Sequence, residues 1–312
     1  MSQVRLFLVK FTLLLVIIAG IISAAIGLVP PDPDGYFQVG LVKSDLLKNT
    51  PSPRIILVGG SNVAFGIDSE LMESRLGMPV INLGMHGGIG RSTYNELREY
   101  IQPGDIVVLM PEYIIFWSKE ILEGNDVVLA QWMEYDLNQL RLVNPDRVPM
   151  LILTMAQIKA TRQFASLFLD ADLDRGIYNS QNFNSHGDFI GQVSADKPIK
   201  NLQIDPYFNS SDYYMETYHF FEQFNMDAKS KGAVVYFEFP ASRALNCKVT
   251  GKERLEEFYA TLLNWTTIPV LTEMKEICYP NSYFFDTNYH LNGVGRRVMT
   301  ERIIKDLLPL LP

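Results

Sequence analysis

Four short apolar runs predict the framework of this chain. Each has the length of a strand and ends at Gly or Pro; they lie at residues 55–58, 79–83, 105–110 and 233–239. Unbroken β-branched and aliphatic runs are typical of strands buried on both faces of a parallel sheet. Helical patterns separate them, so the sequence predicts an α/β fold with a doubly wound parallel sheet.

Local signals place the helices between these strands. Asp68 is a good N-cap for a helix that stops at Gly77, and Thr93 and Glu96 have the spacing of a capping box that opens the next helix. Nearer the carboxyl end, we expect a fifth strand at Val270–Leu271 or at Tyr283–Phe285. A last helix is predicted at Val294–Leu308.

The pattern changes between Pro111 and Lys231. This stretch is too long for a simple crossover, so we interpret residues 113–231 as a mostly helical insertion in a domain that covers residues 51–312. Amphipathic or polar segments fill the insertion; the helical ones are Val128–Met133, Val148–Leu169 and Asp212–Ser230, and a loop is predicted at Tyr178–Lys197.

The amino end predicts a membrane anchor. Phe11–Val29 holds no charge, and at ~1.5 Å per residue it makes a helix of roughly 28 Å, close to the hydrocarbon thickness of a bilayer. Arg5 and Lys10 precede it, which predicts a cytoplasmic amino terminus and an extracytoplasmic domain. We expect an uncleaved anchor over residues 1–30 and a stalk over 31–50. A cleaved signal peptide, with small residues at Ser23 and Ala25, is the alternative, and it exports the domain as well.

Composition and charge exclude some functions. The chain has 312 residues, 47% of them hydrophobic, and a net charge of -8, which argues against nucleic acid as a partner. Four scattered histidines without ligand spacing predict no metal site, and GGSNVAFG lacks the spacing of a dinucleotide loop, so no cofactor is expected. Cys247 and Cys278 would lie in an oxidising compartment, where they form a disulfide or stay as two buried thiols.

Candidate chemistry lies at two strand ends. Ser61 follows the first strand across Gly59 and Gly60, and His290 follows a late apolar run, four residues after Asp286. The carboxyl ends of parallel strands meet in one crevice, so we expect these side chains to converge there. A serine hydroxyl needs a base to become a nucleophile, and histidine oriented by a carboxylate supplies one. The alternative for Ser61 is a small residue required by a tight turn.

Three segments carry a resemblance to a known family. GGSN at 59–62, NLG at 82–84 and DTNYHLN at 286–292 resemble sequence blocks of the SGNH or GDSL-type hydrolases, flavodoxin-like enzymes that cleave or transfer acyl esters. The resemblance implies that Ser61 is the nucleophile, His290 the base and Asp286 the acid. It also implies that the amides of Ser61 and Gly84 form an oxyanion hole.

The chain departs from the family pattern at three places. Gly60 stands where the family has an acidic residue, and three residues instead of two separate Asp286 from His290. The segment after the third strand reads Pro111-Glu112-Tyr113, where the family supplies an oxyanion-hole asparagine. Asn62 is the nearest candidate to replace that donor.

These departures, together with the anchor, resemble the family members that work beside membrane-bound O-acyltransferases. That resemblance implies an extracytoplasmic esterase or O-acyltransferase acting on a cell-surface polysaccharide, with a polytopic acyltransferase as a possible partner. His86, Glu112 and Tyr113 are candidate substrate-binding residues; a structural hydrogen bond for His86 and a solvated carboxylate for Glu112 are the alternatives. Two other functions stay open: a non-catalytic accessory domain that binds a glycan or an acyltransferase, and a lipid or small-ester hydrolase.

Overall fold

Four parallel strands form the central sheet in the order β2-β1-β3-β4. The computed structural model describes residues 3–168, 176–194 and 213–311. The strands are β1 (Ile55–Gly59), β2 (Val80–Asn82), β3 (Ile106–Met110) and β4 (Val234–Phe237); a separate parallel pair is formed by β5 (Ser242–Arg243) and β6 (Cys278–Tyr279). Because the four strands are parallel, their carboxyl ends lie at one edge of the sheet.

Helices precede, separate and follow these strands. In the described part of the chain they are α1 (Gln3–Leu28), α2 (Val39–Asn49), α3 (Ser61–Gly66), α4 (Ser69–Leu76), α5 (Arg91–Tyr100), α6 (Lys119–Glu123), α7 (Asp126–Met133), α8 (Val148–Phe168), α9 (Met215–Ser230), α10 (Ala244–Thr250), α11 (Lys252–Trp265) and α12 (Gly293–Leu307). The mixed α/β architecture with a parallel sheet is as predicted.

Side chains that point alternately to the two faces of the sheet form two hydrophobic cores, one on each face. Ile56 and Val58 of β1 point into a core completed by α5, α9 and α11. Ile55 and Leu57 point to the other face, into a core completed by α4 and α12. Successive side chains of a strand point to opposite faces, and all four of these residues are fully buried. Helices therefore cover both faces of the sheet, and its strand ends are left for the loops.

The local helix signals are confirmed in one case and wrong in the other. Asp68 caps α4 by accepting a hydrogen bond from the amide of Leu71, and Gly77 ends the helix with φ +68°. By contrast α5 already begins at Arg91, ahead of the predicted capping box. Its N-cap is Gly90, at φ +61°, where a Cβ would lie 2.5 Å from the Leu122 carbonyl oxygen. Glycine thus sets the start of this helix, because both the backbone conformation and the space exclude a side chain.

The predicted fifth strand is reduced to a single bridge at each of its two places. Val270 forms one isolated parallel bridge with Phe237, and Phe284 forms one antiparallel bridge with Leu291. Pro269 precedes Val270 and has no N–H to extend the ladder. The neighbouring pair β5–β6 is tied to α10 by a disulfide between Cys247 and Cys278.

The insertion is mostly helical in its described residues. Amphipathic segments predicted at Val128–Met133 and Val148–Leu169 correspond to α7 and α8, and the helix predicted at Asp212–Ser230 corresponds to α9. Residue 169, residues 195–197 of the predicted loop and residue 212 lie outside the described residues. The described residues from Tyr178 onward form turns and one 3-10 turn at Ser180–Asn182, as expected for a loop.

The segment predicted as a stalk packs on the domain. It forms a 3-10 turn at Tyr36–Gln38 and then α2, whose Val39 and Leu47 are buried. Arg54, itself fully buried, donates to the carbonyls of Leu47 and Thr50 and pairs with the Asp105 carboxylate at 3.2 Å. Residues 31–50 are therefore part of the domain surface, because a buried arginine ties the end of α2 to the sheet. Ahead of them, α1 is long and apolar enough to cross a membrane.

Candidate active site

Ser61 stands at a turn where segments of backbone come close together. The turn joins β1 to α3, and Gly59 and Gly60 lie at it. A Cβ on Gly59 would lie 2.2 Å from the carbonyl oxygen of Met110, and one on Gly60 would lie 2.3 Å from Glu112 Oε1. Larger residues would clash at both points. The two glycines therefore let β1 and β3 bring Ser61 and Glu112 together.

Glu112 is the hydrogen-bond partner of Ser61. Its Oε1 accepts from the Ser61 amide at 3.0 Å and from the Ser61 hydroxyl at 2.9 Å. The carboxylate is held between two glycines, since a Cβ on Gly87 would lie 2.3 Å from its other oxygen. Glu112 was predicted to bind substrate, and the structure places it in direct contact with the candidate nucleophile.

His290 is oriented by Asp286. Its Nδ1 lies 2.7 Å from Asp286 Oδ1, although the two residues are four apart in the chain instead of three. Thr287 shapes this turn, because its hydroxyl accepts from the amides of Tyr289 and His290. An Nδ1–H that donates to the carboxylate leaves the Nε2 lone pair of His290 available as a proton acceptor.

Two aromatic residues hold the imidazole in place. The ring of Phe65, from α3, stacks on His290 with centroids 3.8 Å apart and planes 8° from parallel. The Tyr178 hydroxyl donates to the Asp286 carboxylate and lies 3.3 Å from His290 Nδ1. These contacts fix the ring from its face and its edge, which is the arrangement that an oriented base requires.

One cavity joins the two halves of the site. It has a volume of about 410 Å³ and is lined by Ser61 and Glu112 on one side and by His290 on another. The cavity thus brings together residues that are 229 positions apart, although only Ser61 follows a strand of the central sheet. Among the described residues Ser61 Oγ has its hydrogen bond with Glu112, and no hydrogen bond joins it to His290.

The predicted oxyanion-hole donors are already engaged. The Gly84 amide donates to Asn82 Oδ1 at 2.9 Å, and the Ser61 amide donates to Glu112. Asn62 is buried; its side chain accepts from Gly60 N and donates to the Met110 carbonyl, which locks the turn after β1. The structure therefore corrects the assignment of Gly84 and Asn62, because both serve the backbone geometry of the turns.

The other two candidate substrate ligands differ in position. His86 lines the cavity, and its Nδ1 accepts a hydrogen bond from the Gly88 amide at 2.9 Å. Burial lowers the pKa of His86, which favours its neutral form, against an opposite effect of Glu112. Tyr113 is fully buried and donates to the Pro240 carbonyl at 2.6 Å. The prediction for Tyr113 is therefore wrong, because its side chain belongs to the core.

Sequence reasoning missed most of the aromatic lining. Tyr36, Phe37, Phe65, Tyr178 and Tyr289 all face this cavity. Phe65 had a signal in the sequence, since it follows Ser61 by one helical turn. Tyr36 and Tyr178 had none, because they come from the predicted stalk and the predicted loop. The Tyr36 hydroxyl donates to the Met85 carbonyl at 2.7 Å; burial, Glu112 and Asp286 raise its pKa, so the phenol stays protonated.

Comparisons with known proteins add no assignment. No protein-family model, curated protein or solved structure matches the chain. Within the described residues, no group of three or more His, Cys, Asp or Glu side chains is arranged to hold a metal ion. The interpretation of this site therefore rests on its own geometry.

Proposed function

We propose that the chain is a membrane-anchored, extracytoplasmic acyl esterase or O-acyltransferase of the SGNH type. The observation that supports this most strongly is that Ser61 and the Asp286-bonded His290 line one cavity. The strand order β2-β1-β3-β4 also agrees with the first four strands of a flavodoxin-like sheet.

The proposed reaction proceeds through an acyl-serine. Ser61 Oγ attacks the acyl carbon, its proton passes to His290 Nε2, and the departing alkoxide takes that proton as its bond to the acyl carbon breaks. Water or a sugar hydroxyl then attacks the acyl carbon and gives its proton to His290. The bond from the acyl carbon to Ser61 Oγ breaks, and His290 passes that proton to Ser61 Oγ. Transfer is favoured over hydrolysis when the site orients the sugar and excludes water.

Glu112 has a distinct role in this scheme. In the resting site, Glu112 accepts hydrogen bonds from the Ser61 amide and from the Ser61 hydroxyl. An oxyanion bound at that amide has to displace the carboxylate, and the hydroxyl has to turn toward His290. The resting site is therefore closed to the tetrahedral intermediate until substrate binds.

The lining of the cavity supports a carbohydrate ester as substrate. Aromatic faces at Tyr36, Tyr178 and Tyr289 stand beside polar groups at Gln131 and Thr287. Flat aromatic surfaces suit the apolar faces of sugar rings, and the polar groups suit their hydroxyls. A lipid acyl chain would instead favour a purely aliphatic lining. A surface polysaccharide is the substrate class that this lining and the proposed anchor favour together.

An esterase assay tests the proposal. The full-length protein in detergent is incubated with 4-nitrophenyl acetate, and Ser61→Ala and His290→Ala are compared with wild type. We expect both variants to lose activity, while Ser74→Ala, at an exposed serine of α4, keeps it. Equal rates for wild type and Ser61→Ala, with all chains folded by circular dichroism, would contradict the proposal.

A second function, glycan binding without turnover, is favoured by one observation. Glu112 holds the amide that an oxyanion would need. For such an accessory domain, wild type and Ser61→Ala would bind an acetylated polysaccharide equally, and neither would release acetate. Isothermal titration alongside acetate release distinguishes the two functions.

A further inference from the structure

A row of exposed apolar side chains runs along α8. Met150, Leu153, Phe164 and Leu167 are 55%, 47%, 65% and 69% exposed. Met150 and Leu153 form one pair, and Phe164 and Leu167 form a second. Residues three apart within a pair, and fourteen apart between the pairs, lie on one helical face. Between the pairs, the same face carries Ala160 and Gln157, which are also exposed.

The other side of α8 packs on the end of α1. Ile26 of α1 contacts the core cluster that contains Leu151 and Met155. Lys159 Nζ donates to the Ile26 carbonyl at 2.8 Å, and Arg162 donates to the Pro30 carbonyl at 2.8 Å. These are the only two charged side chains of α8. Lys159 donates to a carbonyl in the last turn of α1 and Arg162 to one just after that helix, and Arg162 also pairs with Glu134 at 2.7 Å.

This contact sets the height of α8 relative to the bilayer that α1 would cross. If Phe11–Val29 spans the hydrocarbon, Ile26 lies within one turn of its outer boundary, because one turn rises about 5.4 Å. We propose that α8 lies in the outer interface of the bilayer that α1 crosses, with its apolar row among lipid chains. This inference rests on the proposed anchoring of α1.

Lipid fits this face for two reasons. The residues of α1 ahead of the contact with α8 are exposed, so a membrane has to cover α1, and α8 packs directly against the last turns of that helix. In addition, α8 carries no acidic residue that would be repelled by lipid phosphates. An apolar face of this kind, beside a span, is typical of interfacial helices.

The inference also sets the height of the catalytic cavity. Gln131 of α7 lines both that cavity and a groove of about 480 Å³ beside α8. Since α7 packs against α8, the catalytic cavity lies about one helix diameter, roughly 10 Å, from α8. Ester groups presented at the membrane surface are then within reach of Ser61.

Spin-label accessibility in nanodiscs tests this proposal. Full-length chains carry one label each at Leu153→Cys, Phe164→Cys, Leu14→Cys in α1, or Leu263→Cys at an exposed site of α11; the two native cysteines are paired and do not react. The discs contain phosphatidylcholine and phosphatidylglycerol. We expect the labels on α8 and α1 to collide more with oxygen than with a water-soluble nickel chelate, and the α11 label to show the reverse.

Three results would overturn it. If the α1 label is in lipid while both α8 labels meet the nickel chelate, α8 is not interfacial although the anchor stands. If the α1 label also meets the chelate, the anchor fails and α8 with it. Dipolar broadening between α8 labels that disappears on dilution with unlabelled chain would show that a second copy covers the face. Esterase activity does not enter this readout, so its outcome is independent of the proposed reaction.

Discussion

Replacing Glu112 with glutamine is expected to accelerate hydrolysis of a small neutral ester by about two orders of magnitude. Glutamine keeps the shape that the glycines around Glu112 allow, and its carbonyl can still accept from the Ser61 amide. What it removes is a negative charge beside the forming oxyanion.

The size of the effect follows from Coulomb's law. An oxyanion bound at the Ser61 amide displaces Glu112 Oε1, which lies 3.0 Å from that amide in the resting site. The carboxylate stays next to the oxyanion because Gly60 and Gly87 pack against it. Two full charges about 4 Å apart at an effective dielectric of about 20 repel by about 4 kcal/mol. With about two thirds of the charge developed in the transition state, roughly 2.7 kcal/mol is relieved, which is about a hundredfold in rate.

Steady-state hydrolysis of 4-nitrophenyl acetate measures this effect as kcat. The matched control is Glu253→Gln, at an exposed glutamate of α11, for which we expect the wild-type rate. A fall of tenfold or more in Glu112→Gln would refute the reasoning. It would show that Glu112, which already accepts the hydroxyl bond of Ser61, takes the serine proton in place of His290.

Three further changes have defined outcomes. Asp286→Asn removes the carboxylate on His290 Nδ1 and is expected to lower kcat by roughly 10³ to 10⁴; a loss under tenfold would show that Asp286 does not orient the base. Burial lowers the pKa of Lys43 to about 7, so between about pH 7 and the ordinary lysine value of 10.5 the unfolded chain binds more protons than the folded one. The free energy of unfolding of wild type should therefore rise with pH relative to that of Lys43→Met, by at most about 1.4 kcal/mol per pH unit. Urea titrations measure this difference, and a difference that stays constant across that pH window would contradict the prediction. Cys247→Ser with Cys278→Ser opens a loop of 31 residues, for which chain entropy predicts a loss of about 3 to 4 kcal/mol; equal urea midpoints with and without the bond would argue against it.

Much of the fold follows from local sequence. The runs that became β1 and β3 are unbroken and end at Gly59 and Pro111, so their extent was readable without tertiary information. The helix cap at Asp68 could be predicted for the same reason, because the Asp68 side chain accepts from the amide of Leu71, only three residues along the chain. The rule that parallel strand ends share an edge predicted that Ser61 and His290 converge. The two residues do line one cavity, but the run before His290 forms a single bridge instead of a strand, so the rule accounts for the position of Ser61 alone.

The parts that failed depend on long-range contacts. Gly84 looked like an oxyanion donor, yet its amide is taken by Asn82, whose side-chain direction depends on buried Asp188 in the insertion. The role of Tyr178 could not be predicted from local sequence, because its hydrogen-bond partner Asp286 lies 108 positions away. The predicted stalk failed because the fully buried Arg54 ties α2 to the sheet, and a lone arginine gives no such signal in sequence.

Covalent capture at Ser61 tests the central claim most directly. Full-length protein is treated with an alkyl fluorophosphonate, digested and analysed by mass spectrometry. The account predicts one adduct on the peptide that contains Ser61, and loss of that adduct in His290→Ala. An unmodified Ser61 in folded wild type, or equal labelling of His290→Ala, would contradict the claim that His290 activates Ser61.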